Sequence, residues 1–173
     1  MGDAVIVVDM QRGFLEAGNP LYCGDKAREI ILRVVDLLRK EAAKGSALLF
    51  TADTHDPDDK EFQMFPPHCV RGTAEAEIIP ELAEFVARGT VIAKRRYSAF
   101  FESDLARRLA DLQPDKLIVV GVCTDICVMH TVADARNRDY PVEVKATAVA
   151  SFDPEAHRWA LQHMAKILGA KVV

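Results

Sequence analysis

No stretch of this 173-residue chain stays apolar for the ~20 residues that a membrane-crossing helix needs, so no span and no membrane partner are expected. Glycine is missing where phosphate-binding loops require it. Neither a G-x-G-x-x-G nor a Walker-type run follows any apolar segment, which argues against a nucleotide-binding module. Basic residues are outnumbered, 22 Lys and Arg against 26 Asp and Glu for a net charge of −4, and they form no stripe. A phosphate-backbone partner is disfavoured on charge, so no nucleic acid is expected. The opening residues lack the basic, apolar and small-residue order of a secretory signal, and four cysteines without one read as free thiols of a reducing compartment. The expected location is cytoplasmic. Repeats, low-complexity tracts and linkers are lacking as well, so residues 1–173 read as a single domain, and 50% hydrophobic residues suffice for a core.

Six short apolar runs stand out: Ala4–Val8, Ala47–Thr51, Thr90–Ala93, Leu117–Val120, Pro141–Ala148 and Ala170–Val173, and each reads as a strand. Between them the spacing predicts helices. One covers Asp25–Lys44 and is stopped by Gly45, a short one covers Ile79–Ala87, and one capped by Ser103 reaches Leu112. Another follows an N-cap at Thr124 or Asp125, and the last runs from Asp153-Pro154 to Leu168. Gly121 breaks the fourth run, and Asp53–Thr73 has no period and reads as a long loop. The alternation implies an α/β fold, a doubly wound, mainly parallel six-stranded sheet with helices on both faces in the Rossmann-like manner. Such sheets bind ligands beyond the carboxyl ends of their strands, at the point where strand order reverses. Reactive residues should therefore follow strands.

They do. Asp9 follows the first strand, Asp53 and His55 the second, Lys94 the third and Cys127 the fourth. Singly, the aspartates read as loop caps, Lys94 as a solvated charge and Cys127 as a packing residue. Together they are harder to assign to structure, because a structural lysine has no reason to prefer that edge. A free cysteine is mostly protonated at neutral pH; a nearby ammonium and a helix N-terminus would lower its pKa, and a carboxylate can take its proton. That casts Asp9 as base, Lys94 as electrostatic partner and Cys127 as nucleophile. In the long loop, Asp53, His55 and His68, with Glu61 as a further oxygen donor, make a set suited to zinc, manganese or iron(II). Cys23 and Cys69 read as packing residues.

The segments VVDMQRGF, TADTHDPDD, FPPHCVRGT, KRRYSAF and GVCTDICVMHTVADA resemble the nicotinamidase/pyrazinamidase branch of the isochorismatase-like cysteine hydrolases, in that family's order. The resemblance implies an isochorismatase-like fold and a catalytic triad of Asp9, Lys94 and Cys127. It implies metal ligands at Asp53, His55 and His68, with Glu61 standing where some members add a glutamate. Zinc is the first expectation for the metal, manganese and iron the others. It further implies an oxyanion hole from the backbone N–H groups of Cys123 and Cys127, a cis peptide between Val122 and Cys123, and aromatic walls at Phe14, Phe65 and Tyr97 around a pyridine ring. The implied activity is hydrolysis of nicotinamide, and of pyrazinamide, to the acid and ammonia, within NAD salvage.

Two departures bear on which amide is taken. Thr54 stands between Asp53 and His55 where many nicotinamidases have tryptophan, and the chain is compact for the family. The alternative reading is an amidase of the same superfamily acting on a ureido or other small amide without metal dependence. An isochorismatase-type vinyl-ether cleavage would need no cysteine nucleophile, and a purely structural zinc site would not leave room for an exchangeable ligand. Of the remaining candidates, His130 reads as a packing or subunit-contact residue, His157 and His163 as exposed, and Arg95-Arg96 as a solvated pair. The expected partner is a small-molecule amide substrate, and assembly as a homo-oligomer is left open.

Overall fold

The computed structural model describes residues 2–173. Strand β1 covers Ala4–Val8, and the next segment, expected as loop, contains one helical turn, α1, over Arg12–Leu15. The expected first helix is divided at Glu29 into α2, Asp25–Arg28, and α3, Ile30–Lys44. Strand β2 spans Ala47–Asp53, and 3-10 turns lie at Lys60–Gln63, Ala74–Ala76 and Pro80–Leu82, the last leading into α4, Ala83–Val86. Strand β3 covers Thr90–Lys94, α5 Leu105–Leu112 and β4 Leu117–Val122. A turn of π-helix at Thr124–Val128 runs into α6, Met129–Arg136, followed by β5, Val142–Ala150, α7, Pro154–Lys166, and β6, Lys171–Val172.

Among the described residues the six strands form one sheet in the order β3-β2-β1-β4-β5-β6, every pair parallel. This is the expected α/β, doubly wound arrangement. The chain moves outward from β1 through β2 to β3 and then returns to the other side of β1 with β4, so strand order reverses between β1 and β4.

Successive strand residues face opposite layers, and the sequence alternates accordingly. Val5, Val7, Leu48, Phe50, Ile118 and Val120 pack with Ile31, Val34 and Leu38 of α3 on one face. Ile6, Val8, Leu49, Val119 and Val144 pack on the other with Leu105 and Leu109 of α5, Val132 of α6 and Met164 of α7. Each such fully buried side chain stabilises the fold by about 1.5–3 kcal/mol. Gly45 ends α3 in the left-handed conformation, its N–H bonded to the carbonyls of Ala42 and Glu41, as its position after the apolar stripe predicts.

Gly121 does not break the fourth strand. It lies inside β4 with φ +115, where a Cβ would sit 2.1 Å from the Val8 carbonyl oxygen. The ladder to β5 shifts register between Val119 and Gly121, so the strand bends closely against β1 and continues to Val122. That continuation carries the Cys123–Cys127 turn over the end of β1.

Candidate active site

Strand register brings the strand-end residues together. Asp53 and Lys94 are paired across β2 and β3, and neighbours in register on parallel strands project from the same face. The Lys94 Nζ therefore donates to Asp53 Oδ1 at 2.7 Å. It also lies 2.7 Å from Asp9 Oδ2, 3.6 Å from Cys127 Sγ and 2.9 Å from the Arg96 carbonyl oxygen, to which it donates. Asp9, just past β1, adopts φ 48, and its Oδ1 accepts from the Thr51 hydroxyl at 2.6 Å. One oxygen each of Asp9 and Asp53 and the Cys127 sulfur lie within 4.8 Å of one another. All four residues are buried.

The charges in this cluster decide its protonation. Burial raises the Asp9 carboxyl against the pull of Lys94, with Asp53 adding to the rise. Burial also works against Asp53, but Lys94, His55 and His68 hold it well below the usual carboxylate range. Burial pushes the Cys127 thiol up; Lys94 pulls it down, Asp9 and Asp53 push it up again, and the thiol ends well above its ordinary value. The expected lowering of the Cys127 pKa is thus corrected. The ammonium is already shared by two carboxylates, so the thiol keeps its proton. Nor does Thr124 or Asp125 cap a helix conventionally. The Thr124 hydroxyl bonds His157 Nδ1 at 2.8 Å, the Asp125 carboxylate accepts from Ser151, and Cys127 sits in the π-helical turn ahead of α6.

The other oxygen of Asp53 faces a second group. Asp53 Oδ2 is 3.3 Å from His55 Nε2 and 3.7 Å from His68 Nε2, and His68 Nε2 is 3.9 Å from Glu61 Oε1. One donor atom from each of Asp53, His55, Glu61 and His68 lies within 4.8 Å of the others, and all four residues are buried. His55 Nε2 and Glu61 Oε2 are buried without a hydrogen-bond partner. Although burial disfavours its charge, the His55 imidazole is pushed up to about 9 by Asp53, Asp59 and Glu61. A divalent cation would answer the same carboxylates and use the same orphaned atoms, so the donor set fits a metal.

A narrow cleft, partly open to solvent, reaches both groups. Phe14, Phe65 and Tyr97 line it, as do Val122, Cys123 and Cys127. The Val122–Cys123 peptide is cis. Cys23 and Cys69 are buried packing residues, the Cys23 sulfur 3.4 Å from that of Cys123. Leu21 and Phe152 complete the wall and were not foreseen. Phe152 lies two residues beyond β5, so the strand-end rule could have found it; Leu21 carries no comparable signal.

Gln11 and Asp59 escaped the sequence reading, and Arg96 departs from it. Gln11 is fully buried, accepting from the Asp53 N–H at 2.7 Å and donating to the carbonyls of Asp53 and Ala76, each at 2.8 Å. Asp59 and Arg96 form an ion pair at 2.9 Å, so Arg96 is not the solvated residue expected, whereas Arg95 pairs with exposed Glu102. His130 is exposed, with Nδ1 2.7 Å from the Ile126 carbonyl oxygen, and His163 stacks on Trp159.

His157 is half-buried against Thr124 rather than exposed, and burial lowers its pKa. Folded His157 takes its proton at lower pH than the unfolded chain does. The stability it contributes is therefore complete above about pH 6.5 and is lost as the pH falls below that value. Thermal midpoints should drop between about pH 7 and pH 5, and His157→Asn should remove part of that drop; identical pH slopes in the two proteins would contradict this.

The chain matches the isochorismatase domain over residues 3–173. It is similar to the nicotinamidase of Bacillus subtilis, whose crystal structure shares 37% identity and a TM-score of 0.94, with 100% of this chain and 99% of that one covered. The zinc complex of the Pyrococcus horikoshii pyrazinamidase shares 32% identity and a TM-score of 0.90, covering 100% and 99%. The N-carbamoylsarcosine amidase of Thermoplasma acidophilum shares 29% identity and a TM-score of 0.86, covering 99% and 95%. On the matched domain and these similarities, the chain belongs to the isochorismatase family, in its nicotinamidase-like branch.

Proposed function

We propose that this chain is a metal-assisted cysteine amidohydrolase that converts nicotinamide, and by the same chemistry pyrazinamide, to the acid and ammonia. The observation that carries the reading is the double role of Asp53. Its Oδ1 holds Lys94 at 2.7 Å beside Cys127, while its Oδ2 faces His55 and His68 at 3.3 and 3.7 Å. One carboxylate thus joins a nucleophile cluster to a metal-type donor cluster at the floor of one cleft.

Asp53, His55, His68 and Glu61 would hold a divalent cation, zinc before manganese or iron. Such a cation supplies a Lewis-acidic anchor for a ring nitrogen and so positions the carboxamide. The chain's own residues carry the reaction. Asp9, whose raised carboxyl is matched to a proton-accepting role, takes the Cys127 thiol proton as the sulfur bonds to the carboxamide carbon. Lys94 balances the negative charge that builds between Asp9 and the sulfur. The backbone N–H groups of Cys123 and Cys127 receive the oxyanion. Asp9 returns the proton to nitrogen as the C–N bond breaks, ammonia leaves, and the acyl group remains on sulfur as a thioester. A water deprotonated by Asp9 then adds to the thioester, the C–S bond breaks, and Cys127 recovers its proton. Phe14, Phe65 and Tyr97 flank a flat ring and exclude water from it.

The test is ammonia release from nicotinamide by purified protein as isolated, after chelation, and after metal is restored. Release that stops with chelator and returns with zinc, manganese or iron is expected. His55→Ala should lower metal affinity by two orders of magnitude or more and lose activity that added metal does not restore. Activity on ureido or aliphatic amides, indifferent to chelator and absent on nicotinamide, would replace this reading with a metal-independent amidase using the same Asp9, Lys94 and Cys127.

A further inference from the structure

Both histidines of the donor cluster turn Nε2 toward Asp53, and in both the other ring nitrogen is held by an acceptor. His68 Nδ1 lies 2.9 Å from the Pro66 carbonyl oxygen, and His55 Nδ1 lies 3.0 Å from Asp59 Oδ2. A carbonyl or a carboxylate oxygen can only accept, so each Nδ1 carries a hydrogen. That leaves Nε2 of each ring as the atom turned to the cluster and as the one that would ligate a bound cation. The two holders differ. Pro66 acts through backbone, whereas Asp59 is a side chain nearly free of solvent, with 4% exposure, and must itself be held.

Asp59 is held by charge and in turn holds more than the histidine. Arg96 donates to both its oxygens, at 2.9 and 3.1 Å. Asp59 Oδ1 also accepts the Glu61 backbone N–H at 2.9 Å, capping the 3-10 turn that carries Glu61. The Arg96 guanidinium stands 3.8 Å from Glu61 Oε2, and the Arg96 carbonyl accepts from Lys94. One ion pair therefore touches the ring of His55, the backbone of Glu61 and the ammonium beside the nucleophile.

We propose that Asp59 and Arg96 are positioning residues for the metal site: Asp59 fixes the His55 ring and the Glu61 turn in ligating orientation, and Arg96 fixes Asp59. This rests on reading Asp53, His55, Glu61 and His68 as the metal site. Pre-oriented ligands bind without losing rotational freedom at the moment of capture, and an imidazole whose Nδ1–H faces a carboxylate is a stronger donor at Nε2. Removing Asp59 would leave the His55 ring free to turn or change tautomer, and would release the Glu61 turn.

Zinc affinity, read by competition with a chromophoric chelator on folded protein, tests this directly. Asp59→Ala should weaken zinc binding about 10–100-fold, and Asp59→Asn less, because its amide oxygen still accepts from Nδ1. Arg96→Ala should weaken it about tenfold, with Arg96→Lys partly restoring affinity. Saturating zinc should recover most turnover in Asp59→Ala, a rescue that general loss of structure would not show. In the zinc-loaded wild type, long-range proton–nitrogen NMR should detect a His55 Nδ1 proton sheltered from exchange, and Asp59→Ala should lose it. If Asp59→Ala keeps wild-type zinc affinity and the sheltered proton while His55→Ala abolishes binding, the positioning role is overturned and the metal site stands. If His55→Ala also binds zinc normally, the four-residue site fails and the positioning role fails with it.

Discussion

Cys127→Ala is expected to lower kcat for amide hydrolysis by about 10³-fold or more while leaving zinc affinity within about twofold of wild type, because the nucleophile is lost and the four donors are not. The sulfur is the atom on which the acyl group rests. It lies 3.6 Å from Lys94 Nζ, and among the described residues lining the cleft the only other thiol, that of Cys123, meets Cys23 instead. Single-turnover kinetics with quenching should trap a thioester in wild type and none in the variant. Cys123→Ala is the informative contrast. Its thiol meets Cys23 at 3.4 Å, and its proposed contribution is a backbone N–H that alanine retains. A loss of tenfold or less is expected there, set by packing rather than chemistry. Near wild-type turnover in Cys127→Ala would remove the thioester mechanism. Equal losses at both cysteines would point instead to chemistry that uses two thiols.

The second large effect falls on stability as well as activity. Among the described residues Lys94 is the only cation within bonding distance of both Asp9 and Asp53, at 2.7 Å from each, and its side chain is fully buried. Its pKa stays well above the ordinary lysine value: burial opposes the charge, but Asp53 and Asp9 outweigh burial. Removing it leaves two buried carboxylates without the cation they share, Asp9 with only the Thr51 hydroxyl and Asp53 with the two histidines. Lys94→Ala should therefore destabilise the metal-free protein by about 3–5 kcal/mol. For a chain of this size, that lowers the thermal midpoint by roughly 6–20 °C. Protonation of Asp9 or Asp53 relieves the repulsion, so the deficit should shrink as the pH is lowered. Lys94→Ala combined with Asp9→Asn should cost less than the sum of the two single changes, since only one carboxylate is then left. Urea unfolding of the four proteins at two pH values measures this. Additive costs with no pH dependence would show that the three charges are not coupled.

Much of this architecture was legible because its causes are local. Alternation of buried runs with amphipathic segments gave the strands and their parallel pairing, since short crossovers leave no other arrangement. The strand-end rule then picked out Asp9, Asp53, Lys94 and Cys127 before any distance was known, and the loop composition picked out His55, Glu61 and His68. The errors were equally physical. Gly121 looked like a strand terminator because glycine is a poor strand former, yet it serves a close approach to Val8 inside β4. His157 and Arg96 looked exposed because polar residues in helices and loops usually are, but each finds a buried partner remote in sequence, Thr124 and Asp59.

The sequence by itself determined the layers, the strand ends at which chemistry sits, and the residue types of both clusters, because periodicity and residue chemistry act over a few neighbouring positions. Only the tertiary structure decided how charge is divided among them. Lys94 serves two carboxylates at once, so Cys127 is held as a thiol rather than a thiolate, against the expectation from residue types alone. Likewise only the fold could show that Asp53 faces both clusters, that Gln11 holds its backbone, and that Asp59 and Arg96 stand behind His55. These depend on burial and on distances between residues about 40 positions apart, and no local pattern in a chain encodes the dielectric or the partner that folding will place beside a charge.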